Sequence, residues 1–422
     1  MGDKIPSDMN AYAAVVLASL VLSFIVELIA EILNLNALRD ELPGEFAGVY
    51  DADAYKRSQE YTRVRTRFGF VTSSFGIAII LAFWFAGGFN YLDVVVRGWG
   101  LHPILTGLVY LGILAAGRSA LSLPFSAYST FVIEERFGFN RTTLRTYLSD
   151  ILKAIALTVL LGAPLLAGIL AFFQYAGPSG WLWCWLATTV FTLFVQFIAP
   201  TWIMPMFNKF VPLPDGELKE AILSYTRSVN FPLKNLVVMD GSRRSTKSNA
   251  FFTGFGKNKR IALFDTLIEK HPVPEMVAIL AHEIGHYKKR HIIQGTVISV
   301  AHMGLLFYLL SVFIHHPGLF EAFYLEHSSV YAGLVVFGML YSPVEMVLSV
   351  VVHMISRRNE YQSDRYAAAT TRDPGSMIQA LKRLSLHNLS NLTPHPFHVF
   401  LNYSHPPVLQ RIRALHDTGS GP

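Results

Sequence analysis

The chain is 422 residues long, 52% hydrophobic and 15% charged, with a mean hydropathy of +0.38. These values exclude an ordinary soluble globule and describe a polytopic membrane protein. The formal charge of +6 does not indicate a nucleic-acid partner, because Lys and Arg are spread over alternate loops instead of forming one basic stripe.

Seven apolar stretches are each near the length a helix needs to cross a hydrocarbon core: 11–33, 68–89, 101–123, 151–173, 181–202, 292–314 and 330–355. Only Lys4, against Asp3 and Asp8, precedes the first, so a cleavable signal peptide is not expected. Arg39, Lys56, Arg57, Arg63, Arg65 and Arg67 lead into the second span, and the next connection carries Arg97 alone. Arg136, Arg141 and Arg145 follow the third span, and the connections around Gly177 and Leu319 carry no Lys or Arg. By the positive-inside rule the amino terminus faces outward and the carboxy terminus is cytoplasmic, which agrees with an odd number of spans. The single cysteine, Cys184, lies in the fifth span and rules out an intrachain disulfide and a cysteine-based zinc site.

The chain divides into 1–203 with five spans, a soluble segment 204–291, two further spans in 292–355, and a tail 356–422. In the soluble segment a helix is expected over 217–229 and a strand over 236–240. Two more strands, 250–253 and 260–264, flank GFGKNK as a β-hairpin. The tail starts with the helical pattern RRNEYQSDRYAAA, breaks at Asp373-Pro374-Gly375 and resumes as a helix over 376–386. A Pro- and His-rich stretch, 394–407, precedes a short terminal helix, and the final TGSGP reads as disordered.

The soluble segment ends, directly before the sixth span, in PEMVAILAHEIGHYKKRH, 274–291. Pro274 suits a first helical turn, and Met276, Val277, Leu280 and Ile284 recur at helical spacing. The helix is expected to run into the sixth span without a breaker, which sets its end at the cytoplasmic membrane boundary. His282 and His286 stand four apart, so both rings leave one face and can reach one metal ion. Glu283 is placed to take a proton from water instead of binding the metal. This H-E-x-x-H pattern is half of a zinc hydrolase site, and zinc needs a third protein ligand. Glu360, just past the seventh span, lies at the same depth. Asp364 shares its face, where a carboxylate can hold the outer N–H of a ligating histidine. The competing reading of this E-x-x-x-D pair is a solvated surface pair with Arg357, Arg358 or Arg365. His271, His291, His302 and His353 are rival ligands. Of these, His291 sits five residues past His286 and so points about 140° away around the helix, and His302 and His353 fall inside spans.

With these residues assembled, the sequence resembles the zinc-dependent CaaX prenyl proteases, gluzincin endopeptidases of membranes, over nearly its whole length. Besides HEIGH and the Glu360–Asp364 pair, FVIEERFGFNRTT at 131–143 is similar to the family's E-x-x-F-G-F-N signature. PLPDGELKEAI, SNAFFTG, LFDTL and YSHPPVLQRI resemble its soluble-domain motifs. The resemblance implies seven spans forming a barrel around a water-filled chamber, with a zincin-like domain on the cytoplasmic side. It implies removal of the aaX tripeptide after a prenylated cysteine. By the same resemblance His282, His286 and Glu360 bind one zinc per chain and Glu283 is the general base. His405 faces the oxyanion, Arg411 positions the site through an ion pair, and Asn249, Ala250 and Phe251 receive the substrate as an added β-strand. The expected partners are a peptide or protein substrate and the bilayer, and the chain is expected to act as a monomer. The short connection 315–329 and a tail without a retrieval signal favour a bacterial inner membrane over the endoplasmic reticulum.

Two other readings stay open. One is a membrane quality-control zinc protease with no prenyl requirement. The other is a seven-span transporter or receptor, in which the intramembrane charges Arg118 and Glu345 mark a translocation path; Glu27 and Glu31 join them or sit near the inner end of the first span.

Overall fold

The computed structural model describes residues 10–253 and 259–419. Among them seven helices are long and apolar enough to cross a membrane: Ala11–Asn36, Ala52–Phe85, Pro103–Glu134, Leu144–Tyr175, Gly177–Phe207, His291–Phe313 and Val330–Thr371. The number matches the sequence, but most run beyond the apolar windows. The second, for example, starts at Ala52, where the Asp51 side chain accepts from the Ala54 N–H at 2.6 Å and caps a polar first stretch.

Packing contacts link the first span to the second, the third to the fourth, and onward to the seventh, which returns to the first. Phe68 and Phe75 against Phe125 supply the step from second to third, so the ring closes. Only 6% to 22% of each span's apolar window is buried, so packed side chains do not fill the ring along its length. It is filled at one end. There Trp84, Tyr110, Leu170, Phe307, Phe323 and Tyr331 form a core, with Trp84 stacked on Phe323 at 4.4 Å between centroids.

At the other end the segments 204–291 and 356–419 share one core around Ile222, Ile261, Leu263, Met276, Leu280, Ile284, Ala380 and Ile412. Its sheet has the order β1-β2-β4-β3, with β1 Phe210–Pro212, β2 Leu233–Met239, β3 Ala250–Thr253 and β4 Lys259–Phe264. β2 and β4 are parallel, and β3 pairs antiparallel with β4 and forms an edge. The expected hairpin is therefore present, and residues 254–258 of its loop lie outside the described residues. The short edge strand β1 ends at Pro212, with Pro214 two residues on, and carried no strand signal. In the tail, Arg372 in the left-handed region ends the seventh helix, and Asp373 caps Pro374–His387. The Pro- and His-rich stretch contains an unexpected helix, Pro396–Asn402. Thr418 and Gly419 complete the terminal helix Val408–Gly419, so the disorder expected of TGSGP does not begin there; residues 420–422 lie outside the described residues.

The sequence expectation fails most clearly after the HEIGH motif. The motif's helix is Val273–Lys288, and Arg290 adopts φ 61°, so a separate helix starts at His291. A left-handed residue is a common helix stop, but usually announced by Gly or Asn. KKRH holds neither, so the break was invisible in the sequence.

Candidate metal centre

The helix Val273–Lys288 buries Met276, Leu280 and Ile284 in the soluble core and turns His282 and His286 toward the seventh helix. Close approach there depends on Gly285. A Cβ at this position would meet Ser363 Cα at 3.1 Å and Ser363 O at 3.2 Å. The two backbones therefore come near enough for Glu360 to reach both rings. His286 Nε2 lies 3.2 Å from Glu360 Oε1, His282 Nε2 lies 3.4 Å from Glu360 Oε2, and the two Nε2 atoms are 3.1 Å apart. Among the described residues this is the one His/Cys/Asp/Glu group whose ligand atoms all lie within 4.8 Å of one another.

The tautomers follow from what holds the far side of each ring. Asp364 Oδ1 is 2.8 Å from His282 Nδ1. Arg411 donates to the same carboxylate from Nε at 2.8 Å and Nη2 at 2.6 Å, which keeps it ionised. His282 Nδ1 must then carry the proton. Behind His286 its Nδ1 faces His291 Nδ1 at 3.1 Å, and His291 Nε2 faces Gln362 Oε1 at 3.1 Å. An amide oxygen only accepts, so His291 Nε2–H donates to it, and His291 Nδ1 accepts from His286 Nδ1–H. With both rings neutral, as metal ligands must be, the facing Nε2 atoms are lone pairs beside a carboxylate.

That donor set fits a cation. Tetrahedral ligands about 2.0 Å from zinc stand about 3.3 Å from one another, and the separations here are 3.1 to 3.4 Å. Glu360 Oε2 is buried and makes no hydrogen bond, although Arg411 Nη1 stands 3.3 Å away. Burial works against a charged His282, yet the Asp364 and Glu360 carboxylates beside it outweigh that and raise the ring to about 9. The site attracts positive charge, which a divalent ion supplies better than a proton. Burial pushes the Glu283 carboxyl above the usual range, while His282 and His286 pull it down.

These side chains line a cavity of about 640 Å³ that continues between the sixth and seventh spans to His302, Glu345 and His353. His405 stands at its mouth, 64% exposed, with Nε2 at 3.3 Å from Glu360 Oε1. It also lines a second cavity of about 700 Å³ toward Arg65, Lys247 and Asn388.

Of the rival ligands, His271 pairs with Glu275, His302 with Tyr341 and Glu345, and His353 with Leu401 O. None joins the group. His291 does not point away as expected, because the break at Arg290 swings it back behind His286. Asn249 Oδ1 accepts from the Ala250 N–H at 2.8 Å, so its amide is folded onto its own backbone. Ala250 and Phe251 pair with β4 through Leu263 and Ala262 and leave the other edge of β3 unpaired within the sheet. Glu27 bonds Asn402, Glu31 bonds Thr66, and Arg118 is exposed in the third span.

Residues 31–209 match the family model "CAAX prenyl protease N-terminal, five membrane helices", and residues 212–418 match "Peptidase family M48". The chain is 36% identical to the CAAX prenyl protease 1 homolog of Oryza sativa, over 97% of this chain and 98% of that protein. It is 35% identical to CAAX prenyl protease 1 of Saccharomyces cerevisiae, over 89% and 88%. The crystal structure of S. mikatae Ste24p superposes with a TM-score of 0.91 at 30% identity, covering 97% of this chain and 100% of that one. This multi-pass membrane protein belongs to the zinc-dependent CAAX prenyl proteases of peptidase family M48.

Proposed function

We propose that the chain is a membrane zinc endopeptidase that removes the aaX tripeptide from carboxy-terminally prenylated CaaX substrates. The observation that carries this is the His282–His286–Glu360 group, opening on the cavity that also holds Glu283 and reaches between two spans. His282, His286 and Glu360 would hold the zinc, which would supply a Lewis acid able to activate water near neutral pH. Glu283 accepts the proton of the attacking water on its carboxylate and delivers it to the leaving amine nitrogen. His405 donates from its ring to the carbonyl oxygen as negative charge grows there. Asp364 and Arg411 hold the His282 tautomer, and His291 with Gln362 holds that of His286. The open edge of β3 takes the substrate backbone at Ala250 and Phe251 as an added strand, with Asn249 at its start.

The bound ion is one zinc per chain, and the protein works as a monomer in the bilayer. The domain side faces the cytoplasm, on the charge alternation, and the short 315–329 connection favours a bacterial inner membrane. The transporter or receptor reading falls with the family assignment. An edge strand reads backbone and not side chains, which favours a second reading in which prenylation is dispensable. Mass-spectrometric mapping of products from a farnesylated peptide and its unprenylated twin decides. Loss of aaX from the farnesylated peptide alone supports the first reading, equal cleavage of both supports the second, and zinc-independent cleavage contradicts either.

A further inference from the structure

Glu345 is a carboxylate in the seventh span, where a charge facing lipid is costly and a charge facing a wet cavity is not. It faces the cavity that contains the metal group. His302 from the sixth span reaches Glu345 Oε2 at 3.0 Å, and Tyr341 OH lies 3.0 Å from the same ring nitrogen. The pair does not consume the carboxylate, because 52% of the Glu345 side chain stays open. The other two carboxylates of the cavity, Glu283 and Glu360, belong to the metal centre. Among the described residues no Lys or Arg lines this cavity. Glu345 is therefore its one charge free for a ligand, and the charge is negative.

Its distance from the metal centre sets a register. Glu345 and Glu360 are fifteen residues apart on the uninterrupted part of one helix, since Pro343 lies before both. That is about 22 Å along the axis, which an extended peptide covers in roughly six or seven residues. Only three residues follow the cut in a CaaX peptide, so a side chain at that distance must precede it. Prenylated tails commonly carry basic residues upstream.

We propose that Glu345, oriented by His302 and Tyr341, is a specificity residue that pairs with a Lys or Arg of the substrate roughly six or seven residues before the cleaved bond. The inference rests on the protease reading above.

The test uses the purified zinc-loaded chain and farnesylated peptides in which one Lys moves through successive upstream positions on an alanine background. The readout is the ratio of kcat/KM for each Lys peptide to that for the all-alanine peptide. The wild type is expected to show a maximum of about fivefold in that register, the size of a partly exposed ion pair. Glu345→Gln is expected to flatten the profile, and Glu345→Lys to favour Glu over Lys at the same position. A wild-type ratio that does not vary with position overturns the proposal whatever the variants do. So does an unchanged maximum in Glu345→Gln. A flat profile with normal cleavage removes this proposal alone, whereas no cleavage of any peptide removes the protease reading with it.

Discussion

As neutral rings, His282 and His286 each carry the proton on Nδ1, away from the facing Nε2 atoms, and each owes that to a different partner. For His282 the partner is a carboxylate fixed by Arg411; for His286 it is a second imidazole fixed by Gln362. The charged partner matters more. Asp364→Ala is expected to weaken zinc binding by about 10- to 100-fold, measured by competition with a chromogenic chelator, and Gln362→Ala by less. Glu283→Gln is expected to keep its zinc and lose peptide cleavage; full activity would remove Glu283 from the chemistry. A separate pair, the buried His271 beside the partly buried His387, makes a pH prediction. Burial, with Arg383 and Lys270 nearby, lowers His271 to about 4, and burial with Lys270 lowers His387 to about 4. The unfolded chain takes up those protons near 6.5 and the folded chain only near 4. Stability from these two rings is thus present above 6.5 and lost as the pH falls to 4. The melting temperature is expected to drop through that window, and less steeply in His271→Gln; an equal slope refutes the assignment. The H-E-x-x-H pair was legible at this scale because its spacing is a property of one helix. The relay through His291 was not, because it depends on a turn the sequence does not mark.

The helix Val273–Lys288 and the seventh helix meet at Gly285, the one residue between the two histidines small enough to let them touch. Gly285→Val is expected to force Ser363 and Tyr366 away, destabilise the protein by about 1–3 kcal/mol and reduce zinc content, read by thermal melts and metal analysis. At Arg290 the direction reverses. Its left-handed backbone is easier for glycine, so Arg290→Gly is expected to cost nothing or to stabilise by a few tenths of a kcal/mol, roughly. Arg290→Val at the same φ of 61° should destabilise. The pattern of apolar residues and turns marked the long helices by the length of their apolar runs and the β3–β4 hairpin by GFGKNK. It missed β1 and the helix Pro396–Asn402, which are too short to show a period and hold their places through tertiary contacts.

Across the molecule, the seventh helix runs 42 residues, about 63 Å, twice the depth of a hydrocarbon core of about 30 Å. It closes the ring of spans and also carries Glu360 and Asp364 into the soluble domain, so the His282–His286–Glu360 group sits just past the apolar part of the helix. A second tie comes from the E-x-x-F-G-F-N segment. Its Phe139 and Arg141 backbones bond Thr246 and Arg244, and Arg244 grips Asp150 at 2.7 and 2.9 Å and Asn208 at 2.7 Å. This fixes the stretch leading to β3. Arg244→Ala is therefore expected to lower the melting temperature and kcat/KM while leaving zinc content unchanged. Resemblance to known motifs pointed to this segment, but its job as a clamp between spans and domain needed the contacts. The central claim remains that two imidazoles and one distant carboxylate share a single ion that drives peptide hydrolysis. Zinc stoichiometry and farnesylated-peptide cleavage, measured together on the wild type and Glu360→Ala, test it most directly. The account predicts one zinc per wild-type chain and the loss of both zinc and cleavage in the variant. A Glu360→Ala protein that keeps one tightly held zinc would contradict it.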